Sequence, residues 1–394
     1  MNIMSQENLF EPIPREEFGA RRKALGERAA AAGLSGAIAF GRQGTASTRA
    51  GYVLYLSDYY TPFFDGLEDC LPHWAALGHA AVVVAASGDA LLVTDMDCYY
   101  FDGRRPQEAG IEVVHDTNVM RGIAKAAQML GIAKGGMGLI GREILSVGRF
   151  ELLRSLLPEV ALVWRDGLLD DDMMIKSDAE LRILRYANKV VEDIASQALA
   201  KAVPGATEHE LADFVRRSVA QAGGELLWMR PNRLLPLADG DIYYMSIVAW
   251  FRGYFVDVAR NCVVGRAQPE KRALVSYLNE FILAQAEQLR PGTTAEQAAA
   301  FGYGYFAGPK ANLTRAQIER GALCPFPAFG HGIGLTFGRP YIREGDSTIL
   351  RPGMVIAIEA NYALPHVGVA EAEVTVEIGP SEPHLLSGLG SPGA

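Results

Sequence analysis

Nowhere does the 394-residue chain carry the roughly 18 consecutive apolar positions that a membrane-spanning helix requires. Between Met1 and Phe18, where a secretory signal would need an apolar segment, it places Glu7, Glu11, Glu16 and Glu17, so no signal peptide is expected. A basic surplus is also missing. Lys and Arg number 37 against 46 Asp and Glu, a formal charge of -9, which leaves nothing to displace the counterions of a nucleic acid. Cysteine is scarce: Cys70, Cys98, Cys262 and Cys324 form no C-x-x-C pair and read as reduced thiols in a cytoplasmic protein.

What remains is an ordinary globular composition, 49% hydrophobic and 21% charged, long enough for two domains with their own cores. Residues 14–33 read as a first helix closed by Gly33, followed by a strand at 36–40. The aromatic run from Tyr52 to Phe64 reads as a core strand plus loop, with Tyr60, Phe63 and Phe64 available to cover a substrate. A hairpin is expected around Ser87-Gly88-Asp89, further strands at 111–114 and 138–140, and a helix near 124–130 between them. Strands interleaved with helices predict an α/β first domain over 1–168. The acidic run Asp166 to Asp172 reads as a solvated connector to a second domain, 169–394.

That second domain opens with two capping boxes, Ser177 with Glu180 and Thr207 with Glu210. His209, in the first turn of the second helix, reads as an exposed structural residue. The phrase Pro204-Gly205-Ala206-Thr207 returns as Pro291-Gly292-Thr293-Thr294, each after a long helix and each opening another. Between them, residues 240–261 predict a hairpin turning at Arg252-Gly253.

The chemistry gathers in three phrases near the C-terminus: Phe329-Gly330-His331-Gly332, then Pro352-Gly353 feeding an apolar strand to Glu359, then Glu371-Ala372-Glu373-Val374. Glycines around His331 predict a backbone that closely approaches a ligand. Alternation puts Glu371 and Glu373 on one strand face. Burying unpaired carboxylates is costly, so an imidazole and several carboxylates on one sheet suggest a metal site or acid/base pair.

These phrases resemble the motifs of the pita-bread family, which includes methionine aminopeptidases, Xaa-Pro peptidases and creatinase. The resemblance implies an α+β protein of two domains, a creatinase-like N-terminal domain and a pita-bread domain with pseudo-twofold αβ halves. It implies ligands in the order Asp, Asp, His, Glu, Glu. The second Asp falls on Asp257, followed by Arg260, and the later ligands on His331, Glu359 and Glu371, with Glu373 the other choice for the last. The first Asp position holds Ser246. The histidine that Xaa-Pro peptidases and creatinase carry before the hairpin is missing from 227–233, and Phe337-Gly338-Arg339 stands where peptidases place another. Creatinase's catalytic Glu corresponds to Ala259, which argues against creatine as substrate.

The expected enzyme is therefore a C–N hydrolase acting on a small carboxylate-bearing metabolite by acid/base catalysis through His331, Glu359, Glu371 and Asp257. The alternatives are a metal-dependent Xaa-Pro-type dipeptidase, a lyase, or a non-catalytic binding protein. Ser246, Arg230, Arg339, Tyr60, Phe63, Phe64, His366 and Glu373 are the substrate-contact candidates, with Arg233 and Arg252 as further carboxylate clamps. The cofactor is none or one divalent Mn, Fe, Co or Zn ion on Asp257, His331, Glu359 and Glu371. The resemblance further implies a homodimer whose N-terminal domain reaches the neighbouring active site.

Overall fold

The computed structural model describes residues 12–42, 49–60, 69, 75–96, 109–229, 235–266, 268–309, 311 and 328–389. The chain divides into two compact units, Glu11–Met173 and one containing Met174–Ala394. Phe63, Phe64, Arg230 and Arg233 lie outside the described residues.

In the first unit, α1 (Arg15–Ala31) leads into β1 (Gly36–Arg42), then α2 (Gly51–Ser57) and the hairpin β2 (His79–Ala85) and β3 (Ala90–Thr94). β4 (Glu112–His115), α3 (Val119–Met129), β5 (Gly135–Ile140), α4 (Val147–Leu156), β6 (Val160–Trp164) and α5 (Gly167–Met174) follow. The strands form a mixed sheet in the order β4-β3-β2-β1-β5-β6. Two expectations fail here. The run after Gly51 is a buried helix, because a short stretch apolar on all sides has no period to separate helix from strand. The acidic run forms α5, and its charges are engaged: Arg28 pairs with Asp172, Tyr52 donates to Asp170 and the Gly141 amide donates to Asp166.

The second unit holds the duplicated architecture. Helices α6 (Asp178–Leu199) and α7 (Glu208–Gln221) precede β7 (Glu225–Trp228), β8 (Ile242–Phe251) and β9 (Tyr254–Val263). Helices α8 (Pro269–Ala286) and α9 (Ala295–Ala307) precede β10 (Gly330–Ile333), β11 (Phe337–Tyr341), β12 (Val355–Leu364), β13 (Gly368–Ile378) and β14 (Pro383–Leu385). Both predicted capping boxes form, and Thr294 with Gln297 makes the echoing third at α9. The β8–β9 turn falls at Arg252-Gly253, with φ of 51° and 97°, the left-handed pair that a tight two-residue hairpin needs.

The strands form one sheet, β11-β10-β12-β13-β9-β8-β7, with β14 added on β13. α6 and α7 close one core with Tyr243, Met245, Ile247, Val256 and Val258. α8 and α9 close another with Ile356, Ile358, Ala372, Val374 and Val376. The alternate residues therefore face away from the helices, and in β8 the helix-facing Tyr243, Met245 and Ile247 are buried while Tyr244, Ser246 and Val248 are half-buried.

The halves meet where β13 pairs with β9, Glu373 opposite Ala259. Side chains extend this seam. Arg260 Nη1 donates to the carbonyls of Glu373 and Ala259, Asn261 Nδ2 donates to the Glu371 carbonyl at 2.7 Å, and Thr375 Oγ1 donates to the Asp257 carbonyl at 3.3 Å. Arg260, 1% exposed, is also paired with Glu192 of α6.

Candidate active site

Register turns the scattered motifs into rows across the open face. Ser246 lies opposite Ala259, Ala259 opposite Glu373, and Glu373 opposite Glu359. In the adjacent row, Val248 lies opposite Asp257, Thr375 opposite Ala357, and Ala357 opposite His331. One ligand atom each from Asp257, His331 and Glu373 lie within 4.8 Å of one another. His331 Nε2 is 3.5 Å from Glu359 Oε1. Its Nδ1 is 3.1 Å from the Gly332 carbonyl, and a proton donated there leaves the Nε2 lone pair directed at the carboxylates.

Glu373 is 1% exposed, His331 5% and Glu359 9%, too little surface for water to solvate the two carboxylates. Burial, followed by the charges of Asp257 and Glu359, pushes the Glu373 carboxyl well above its ordinary value. Burial raises Asp257 as well, with His331 opposing. Asp257 Oδ1 and Glu373 Oε1 are buried without a hydrogen-bond partner. Two ionised carboxylates have no hydrogen to share, so the pair demands a proton or a cation. The group offers three carboxylates and an imidazole, which is the donor set of a borderline-hard divalent ion. On that chemistry, and on the two buried oxygens, the residues fit a metal.

The structure brings Glu373 into this group in place of Glu371, contrary to the ligand set expected above. Both face the open side, and alternation alone cannot choose between them; the Glu359–Glu373 pairing does. Glu371 instead lies opposite Asn361 and feels Asp257 only as a nearby charge, which together with burial raises it to about 7. The flanking glycines serve the sheet rather than a ligand. A Cβ at Gly330 would stand 2.2 Å from the Ala357 carbonyl oxygen, and one at Gly332 2.1 Å from that of Arg339.

The other candidates stand on other elements. His366 is exposed at the β12–β13 turn, beyond Leu364, which ends its strand about 17 Å from Glu359 at the usual rise. Arg339 is half-exposed on the edge strand and donates to Thr348 Oγ1 at 2.7 Å. Arg252 occupies the hairpin turn. Tyr60 is half-buried in the first unit. His209 is exposed in the first turn of α7. Sequence reading missed Phe337, whose ring lies 5.0 Å from that of His331; an aromatic in place of an absent histidine was the available signal.

The model of metallopeptidase family M24 matches residues 182–380. The chain belongs to this family. A relative, "Uncharacterized peptidase YqhT" of Bacillus subtilis, is 23% identical over 325 residues, which cover 76% of this chain and 86% of that protein. "Xaa-Pro dipeptidase" of Pyrococcus horikoshii is 25% identical over 236 residues, 54% of this chain and 62% of that one. Among solved structures, dipeptidase PepE from Mycobacterium ulcerans superposes with a TM-score of 0.74 at 21% identity, covering 96% of this chain and 97% of that one, a likeness of fold.

Proposed function

We propose that this M24 protein is a hydrolase that cleaves the peptide C–N bond of a dipeptide using one divalent metal ion. The observation that carries the reading is the pair of buried, unpartnered oxygens of Asp257 and Glu373 beside His331. Asp257, His331, Glu359 and Glu373 would hold the ion. When bound, it supplies Lewis-acid polarisation of the scissile carbonyl and a more acidic water. Ser246 presents a neutral hydroxyl on the row of Glu373, so a second ion lacks the carboxylate it would need. Hydrolysis adds the water oxygen to the carbonyl carbon and a proton to the departing nitrogen, and the buried carboxylates are placed to accept and return that proton. The peptidase names of the relatives support a dipeptide as the form taken by the small carboxylate-bearing substrate expected from sequence. Homodimeric assembly in the cytoplasm is carried by family resemblance, and light scattering reads the oligomer.

The test is metal content per chain, followed by hydrolysis of a dipeptide panel that includes Xaa-Pro members before and after chelation. About one ion per chain and activity lost on chelation are expected. Undiminished activity in the stripped protein would instead favour the second reading, metal-free acid/base catalysis, for which the raised Glu373 carboxyl beside Asp257 is the motive.

A further inference from the structure

The open face of the large sheet changes character along its strands. On one side of the carboxylates stand Tyr244, Asn261, Glu371 and Asn361, all half-buried and polar. On the other side the lining is aromatic. Trp250 pairs across the hairpin with Phe255, their rings 6.4 Å apart. Phe255 packs against Phe337 at 4.8 Å, and Phe337 reaches the His331 imidazole. Val248, opposite Asp257, is flanked on its other edge by Trp228.

This strip is not part of either helix-covered core. Phe337 is 41% exposed and Trp228 47%. Such apolar surface in water, continuous with a buried metal-ligand group, is the mark of a ligand-contact patch rather than of packing. Phe255 is two residues from Asp257, and Asn261 four residues on the other side, so strip and polar row are about 7 and 13 Å from Asp257 along the strand. A dipeptide with its scissile bond over the carboxylates spans part of both. Its orientation follows from the polar row. The Glu371 carboxyl offers acceptor oxygens to the ammonium end, which directs the C-terminal residue to the aromatic side.

We propose that Phe337, with Phe255, Trp250, Val248 and Trp228, forms a specificity subsite for a large apolar side chain, aromatic or branched, on the residue released from the scissile bond. This rests on the dipeptidase reading above. The test compares kcat/KM of the Mn-loaded full chain for Ala-Gly, Ala-Leu and Ala-Phe. Ala-Phe is expected to exceed Ala-Gly by about tenfold or more. In Phe337→Ser that ratio falls toward one, mainly through KM, and Phe337→Leu restores part of the preference for Ala-Leu. A ratio near one in the native protein, or one unchanged in Phe337→Ser, overturns the proposal. A second readout needs no turnover: tryptophan fluorescence of the metal-free protein titrated with L-phenylalanine, with glycine as control. Saturation by phenylalanine that weakens at least fivefold in Phe337→Ser supports the subsite even if no dipeptide is cleaved, an outcome that would sink only the dipeptidase reading. Equal responses to phenylalanine and glycine, or in both variants, overturn it.

Discussion

On the proposed reading, a single neutral side chain sets the capacity of the site. Ser246 is separated from Glu373 only by Ala259, whose methyl leaves the row open between them. Ser246→Asp should therefore restore a second cation position, raising metal content from about one to about two ions per chain by elemental analysis; stoichiometry that stays at one would mean that strand spacing, not the missing carboxylate, limits the site. In the unit Glu11–Met173, Asp95 is 2% exposed and accepts the His79 amide at 2.8 Å, while burial raises its carboxyl to about 7. Because the folded pKa lies above the unfolded one, the stability this proton contributes is full below about 3.9 and is lost as pH rises toward 7. Asp95→Asn should then gain on the order of 2 kcal/mol over the native protein at pH 8, with the advantage closing toward pH 4 in urea titrations. Residue identities of this kind were only half legible. Asp257, His331 and Glu359 announced themselves by motif, whereas Glu371 and Glu373 share a face and differ only by register, which no local pattern encodes.

Elements were read well where chemistry punctuates them. Serine or threonine followed by Glu or Gln marked three helix starts, and Arg252-Gly253 marked a hairpin, because each motif satisfies specific backbone groups. Gly51–Ser57 was misread because it is apolar all round and lacks any such mark at its start. The β9–β13 seam was invisible for a different reason, since it depends on side chains binding carbonyls far away in sequence. Arg260 is the chief of them, engaging two carbonyls and Glu192 at once. Arg260→Met should leave the half-buried Glu192 without its cation and lower stability by about 3 kcal/mol. A metal titration of the same variant should show affinity weakened about 10–100-fold, since the Glu373 backbone loses the donor that locates it. Lost stability with unchanged affinity would confine Arg260 to a packing role.

For the molecule as a whole, two-domain character and the repeated helix-Pro-Gly-helix phrase anticipated the architecture, because duplication leaves a trace in sequence that folding preserves. Ligation should then be measurable as global stability. Metal at 100 times its dissociation constant adds about 2.7 kcal/mol, seen as a raised Tm. The gain should be larger at pH 8 than at pH 5.5, because the raised carboxyls of Asp257 and Glu373 hold protons that must leave before an ion can bind. A Tm increment equal at both values would mean that the ion binds elsewhere.

The proposed ligand set is divided across the seam: Asp257 comes from the first half of the duplicated unit, and His331, Glu359 and Glu373 from the second. An ion there would work as a rivet between two separately cored pieces. If the backbone were cut in the connection between α8 and β9, the nicked protein should hold together in the presence of Mn and lose that cohesion first when the ion is withdrawn, so the cofactor would keep the duplicated halves assembled as well as poised for chemistry.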